Sequence, residues 1–136
     1  MKTLVIFYSY TGHAKARAEA LAAAEHADIV EIKDIQRPGK LKAYTSGCFA
    51  AMRGKTWPIQ PLNADLTAYD RLIVVSPTWA GSPPPAVHAL LEHLPEGKAV
   101  AVKMVSASGK SGCEDRIEAA IKAKDCTLER FEDYKN

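Results

Sequence analysis

The sequence predicts one α/β domain built on an open, doubly wound parallel sheet of five strands. Three observations predict it. The chain has 136 residues, enough for one hydrophobic core and too few for two. Its main apolar runs are continuous rather than alternating, which marks strands covered on both faces. Segments with helical spacing separate those runs, and strands alternating with helices form right-handed βαβ units around a parallel sheet.

Thr3 to Ser9 is the first run, rich in β-branched and aromatic residues, and reads as a buried strand. After Tyr10-Thr11-Gly12-His13, the residues Ala14, Ala18, Leu21 and Ala22 recur at helical spacing, predicting a helix that ends near Glu25. Ile29, Val30, Ile32 and Ile35 predict a second strand, Arg71 to Ser76 a third and Ala99 to Val105 a fourth. Between the third and fourth, a helix opens on Pro83, Pro84 and Pro85, is lined by Ala86, Val87, Leu90, Leu91 and Leu94, and stops before Pro95-Glu96-Gly97. Ile117, Ala120 and Ile121 stripe a last helix, and Thr127 to Phe131 form a short fifth strand. The Gly/Pro-bounded stretch from Arg37 to Pro61 has no clear assignment.

Composition excludes several classes of function. No stretch approaches the roughly 20 apolar residues of a membrane helix, and the run after Met1-Lys2 is too short for a signal-peptide core, so the expected location is the cytoplasm. With 18 basic and 16 acidic residues the net charge is +2, and the basic residues read as spread through the chain, so nucleic acid is not an expected partner. Cys48, Cys113 and Cys126 form no C-x-x-C pair, and reduced thiols are expected.

In open parallel sheets, ligands bind beyond the carboxyl ends of the strands. Three loops fall there. Ser9-Tyr10-Thr11-Gly12-His13-Ala14 offers hydroxyls, a glycine and the free amides of a helix start, which suit an anion. Pro77-Thr78-Trp79-Ala80-Gly81 holds an indole at a strand end, where an exposed ring can stack on a planar ligand. Ser106-Ala107-Ser108-Gly109-Lys110-Ser111-Gly112 is small and polar, so its backbone can approach a ligand closely.

From Thr3 to about Phe131 the chain resembles the flavodoxin family, whose phosphate loop reads Thr/Ser-x-Thr-Gly-x-Thr and whose second flavin loop often carries Pro-Thr-Trp. The resemblance implies strand order 2-1-3-4-5 and FMN as cofactor. It implies that Ser9, Thr11, Gly12 and the amides of His13 and Ala14, assisted by Tyr10, hold the phosphate. Trp79 then stacks on the isoalloxazine, Pro77, Thr78, Ala80 and Gly81 flank it, and Ser106, Ala107, Ser108, Gly109 and Gly112 line the other side.

Four departures stand out. Ala14 replaces a hydroxyl, removing a phosphate contact worth about 1.5–3 kcal/mol. The third loop has no aromatic, and the charge is slightly positive where many flavodoxins are strongly acidic. After the fifth strand only Glu132 to Asn136 remain, too few for a closing helix. A sheet face left bare implies a homodimer through that face, or a covering element such as the stretch from Gly39 to Gly54.

Other signals lead nowhere. Gly109-Lys110-Ser111 lacks the P-loop glycine, having Met104 there, and Gly-x-Gly-x-x-Gly is absent. Cys48 to Arg53 is one residue short of a phosphatase Cys-x5-Arg, and a receiver's acidic residues are replaced by Ser9 and Ser76. His13, His26, His88 and His93 share no metal-ligand spacing, and Trp57, Phe49 and Met52 read as packing residues. The leading expectation is an FMN electron carrier serving redox proteins or small acceptors, with no side chain acting as acid or base. The alternatives are an NAD(P)H-dependent FMN or quinone reductase and an interaction module that has lost its cofactor.

Overall fold

In the computed structural model, which describes residues 2–136, five strands form one parallel sheet: β1 (Thr3–Phe7), β2 (Asp28–Glu31), β3 (Arg71–Pro77), β4 (Ala99–Ser106) and β5 (Thr127–Lys135). Their order is β2-β1-β3-β4-β5, the flavodoxin-like arrangement. The helices are α1 (His13–Glu25), α2 (Lys40–Lys42), α3 (Cys48–Met52), α4 (Pro85–Glu92) and α5 (Glu114–Lys122). A π-helical turn, Ala43–Gly47, joins α2 directly to α3. Among the described residues no helix is long and apolar enough to cross a membrane.

The strand faces sort by side-chain alternation. Val5, Phe7, Ile73, Val75, Ala101 and Val105 point to α1, whose Ala14, Ala18 and Ala22 are small enough to let the helix lie close to the sheet. Leu4, Ile6, Tyr8, Leu72, Val74, Val100, Val102 and Met104 point the other way, into the larger core under α4 and α5. Helix α4 starts with Pro85 at its first turn and is buried along its whole length to Leu91, which explains its lack of a polar face.

Two strand boundaries differ from those the sequence suggests. Strand β2 ends at Glu31: Ile32 is buried just beyond it, but Ile35 is 63% exposed and belongs to no strand. Strand β5 runs on from Phe131 to Lys135, so Glu132 to Lys135 belong to the sheet. A register shift between Val100 and Ala101 accompanies its pairing with β4.

Among the described residues no further helix follows β5 to cover the sheet face beside α1, and the surface there carries polar side chains. Arg71 bridges Glu25 (2.9 Å) and Glu129 (2.6 Å). Lys103, buried in mid-strand, donates to Glu132 and, at 3.3 Å, to the Tyr134 hydroxyl. The Arg17 guanidinium lies 4.0 Å from the Tyr134 ring centre. Ion pairs and the Tyr134 ring thus cover this part of the sheet. The stretch from Gly39 to Gly54 does not cover this side either, since Ala43 and Ala51 pack into the opposite core with Trp79.

Candidate functional site

The carboxyl ends of β1, β3 and β4 meet at a cavity of about 490 Å³, within the usual range for small-ligand sites. The first loop contributes Tyr10, Thr11, His13 and Ala14. Gly12 turns with φ of 104°, a conformation that suits glycine, and Ser9 Oγ accepts from its amide at 3.1 Å. Helix α1 then begins with no side-chain cap and no acidic residue in its first turn, so its positive end faces the cavity uncompensated. Ser9 and Gly12 shape the loop from behind rather than lining the space.

Arg37 holds this loop from outside. It donates 2.7 Å to the Tyr10 carbonyl and 3.4 Å to the Ser9 carbonyl, and stacks 4.5 Å over the Tyr10 ring. The Tyr10 hydroxyl donates to the Pro38 carbonyl at 2.8 Å. With those carbonyls engaged on the outside, the loop keeps its amides for the cavity.

The second loop contributes Pro77, Thr78, Trp79 and Ala80. Trp79 and Ser82 exchange two backbone hydrogen bonds (2.7 and 3.1 Å) around Ala80 and Gly81, whose φ values are 51° and 77°. Two positive φ angles at the centre of a two-residue turn make a hairpin-like reversal, and alanine there stores roughly 1–2 kcal/mol of strain. The turn sends the indole inward. Trp79 is only 9% exposed, edge-on to Tyr8 (centroids 6.1 Å) and to Tyr10 (5.6 Å). Gly47 of the π turn lies so close that a Cβ there would sit 2.8 Å from the indole ring. This corrects the expectation of an exposed stacking ring: the indole forms part of the cavity's floor. Thr78 Oγ1 is buried and has no hydrogen-bond partner among the described residues.

From the third loop, only Ser106 and Ala107 line the space. Ser106 Oγ accepts from the Gly109 amide at 3.0 Å, and Gly109 packs against Lys135. Ser108, Gly109 and Gly112 stand away from the cavity, and Gly81 abuts the Ser111 carbonyl instead of lining it.

Lys40, Ala43, Tyr44, Cys48 and Asn136 also line the cavity, and the sequence pattern did not indicate them. Four of the five come from the unassigned stretch after β2. Tyr44 is 78% exposed at the rim, which supplies the aromatic surface that the third loop lacks. Burial pushes the Cys48 thiol above its ordinary range, so it is not an activated nucleophile. Beneath the floor, the Tyr8 hydroxyl donates 2.6 Å to buried Asp34. Burial is the main cause raising the pKa of both groups. Phe49 and Met52, expected to pack, are exposed, whereas Trp57 is half-buried with Lys42 over its ring.

Comparison with known proteins places this geometry. The family model for NADPH-dependent FMN reductases matches residues 5–123. The chain belongs to this family. No curated protein matches it. Among solved structures, it is similar to a protein of Bacteroides eggerthii provisionally described as a flavoprotein (TM-score 0.83, 20% identity, covering 96% of this chain and 86% of the other). A flavoprotein of Lactobacillus acidophilus crystallised in complex with FMN superposes with a TM-score of 0.73 at 22% identity, covering 98% and 92% of the two chains. A flavodoxin of Streptococcus pneumonia TIGR4 gives 0.60 at 15%, covering 100% and 86%. These likenesses establish a flavodoxin-like fold, and the family's cofactor is FMN. The cavity fits that group at both ends, an uncapped helix start for a phosphate and an unpartnered buried hydroxyl for a polar heterocycle.

Proposed function

We propose that this chain binds FMN in the cavity and serves as an electron carrier. One observation carries the reading: Thr78, whose buried hydroxyl has no partner among the described residues, lines the same cavity as the uncapped start of α1. A buried hydroxyl without a partner costs about 1–3 kcal/mol, so its retention supports a ligand that satisfies it. The two ends together ask for a heterocycle with an anionic tail.

In this reading the amides of His13 and Ala14 and the Thr11 hydroxyl hold the phosphate, and Arg37 fixes the loop that presents them. Trp79 supports the ring from below, Tyr44 covers its outer side, and Thr78 donates to a ring acceptor. Bound FMN supplies hydride and single-electron chemistry, and no side chain is required as acid or base. The three free cysteines support a reducing compartment such as the cytoplasm.

A second reading, hydride transfer from NADPH, is favoured by the family match. Titration of the purified chain with FMN, followed by an NADPH oxidation assay with a quinone acceptor, separates the two. Saturable FMN binding without turnover supports the carrier, and turnover of many equivalents of NADPH supports the reductase. No change in flavin absorbance or fluorescence on titration overturns both, leaving a module without cofactor.

A further inference from the structure

We propose that the outer face of residues 40–52, with the cations around it, docks an acidic redox protein. The inference rests on the FMN reading, since docking there brings a partner against Lys40 and Tyr44, which line the cavity.

Helices of soluble proteins bury their large apolar side chains, and this segment does the reverse. Its inner positions are Ala43, Gly47, Ala50 and Ala51, all buried. Leu41, Tyr44, Phe49 and Met52 are 79%, 78%, 52% and 47% exposed, and Ile35, just ahead of this segment in the chain, is 63% exposed. Only one other large apolar residue among the described residues, Ile29 in β2, is comparably open. Concentrated apolar exposure marks an interaction surface.

Charge selects the occupant. The basic residues are not evenly spread, contrary to what the sequence pattern suggested: residues 33–55 carry six, Lys33, Arg37, Lys40, Lys42, Arg53 and Lys55, and a single acid. That acid, Asp34, is buried and bound by Tyr8. The ion pairs among the described residues involve none of the six. A chain that is nearly neutral as a whole therefore concentrates positive charge in this segment, whose Lys40 and Tyr44 line the cavity. A two-fold dimer through this face would set the same cations against each other. A bilayer would need segregated faces, but Lys40 and Lys42 flank Leu41 within one turn. An acidic protein surface with an apolar centre satisfies both features.

The test uses the FMN-loaded chain and an acidic [2Fe–2S] ferredoxin as probe, with basic cytochrome c and phosphatidylserine vesicles as controls. Calorimetry is expected to show ferredoxin binding at low salt that weakens roughly tenfold or more near 0.3 M salt, where the screening length falls well below ~10 Å. The paired variants Arg53→Glu with Lys55→Glu, and Leu41→Ser with Met52→Ser, lie outside the cavity lining and are expected to weaken ferredoxin binding about tenfold each, leaving FMN affinity unchanged. Absent or salt-independent ferredoxin binding, a preference for cytochrome c, capture by vesicles alone, or self-association lost in Leu41→Ser with Met52→Ser would each overturn the proposal. Failure of the cofactor reading shows separately, in the flavin titration of the parent chain.

Discussion

Replacing Thr78 by valine separates a ligand-binding hydroxyl from a structural one by the sign of two measurements. Thr78 Oγ1 is buried without a partner, so the flavin-free chain carries its desolvation cost of about 1–3 kcal/mol. Valine keeps the branched shape and removes the hydroxyl. The flavin-free variant is therefore expected to be more stable, and at about 3–4 °C per kcal/mol for a chain of this length its Tm rises by roughly 3–12 °C. FMN affinity moves the other way. Binding no longer relieves the hydroxyl and leaves a ring acceptor without its donor, a loss of about 1–3 kcal/mol or roughly 5- to 150-fold in Kd. Calorimetric melting without FMN and fluorescence titration with it give both numbers, and Thr78→Ser, which keeps the donor, should hold FMN within about threefold of the parent. A flavin-free Thr78→Val chain that melts no higher than the parent, or that binds FMN as tightly, refutes the assignment.

Three further changes probe other parts of the fold. Gly47→Ala sets a Cβ 2.8 Å from the indole, in a helical conformation that alanine otherwise prefers. Overpacking of about 1–3 kcal/mol exceeds the propensity gain of up to ~1 kcal/mol, so Tm falls and FMN binding weakens with it; a rise in Tm would show the contact to be loose. Arg37→Gln releases the Ser9 and Tyr10 carbonyls and is expected to cost about fivefold in FMN affinity while sparing riboflavin, and equal losses for both would exclude a role at the phosphate loop. The hydrogen bond from Lys103 holds the Glu132 carboxyl below its ordinary range, so its contribution is present above about pH 4.3 and is lost as pH falls through the depressed folded value. Glu132→Gln should remove that acid-side slope and destabilise the chain at pH 7 by about 1–3 kcal/mol, more than Lys103→Met does, because it strands a buried ammonium; the reverse order in urea melts would contradict this.

The central sheet was legible because burial on both faces leaves an unmistakable residue pattern. Val5 and Ile73 sit in runs with no polar interruption, Val102 in a run broken only by Lys103, and β1, β3 and β4 follow these runs closely. Strand β5 was cut short because it is an edge strand whose inward positions are Glu132 and Tyr134, paired with Lys103, so nothing in its sequence marks a covered face. Ile35 misled in the opposite direction, since an apolar residue with no cover reads like one in a strand. At the site, the three loops were found from their positions at strand ends, but the direction of Trp79 was not. It depends on the positive φ of Ala80, which a non-glycine residue does not advertise.

The stretch from 40 to 52 was illegible for a reason that bears on function. Periodicity assumes that large apolar residues point inward, and here Gly47 and the alanines do, because the segment must lie flat on the indole of Trp79. The π turn adds a further offset to the spacing of Ala43 and Gly47, and such turns recur at functional sites. Close approach over the cavity floor and an outer face of large side chains are thus two results of one choice of residues. A larger residue at Gly47 would lift the segment from Trp79 and change the cavity roof together with the exposed patch. The cavity and the patch therefore cannot be altered independently at that glycine, whereas Leu41 and Met52, exposed and outside the cavity lining, allow the outer face to be changed alone.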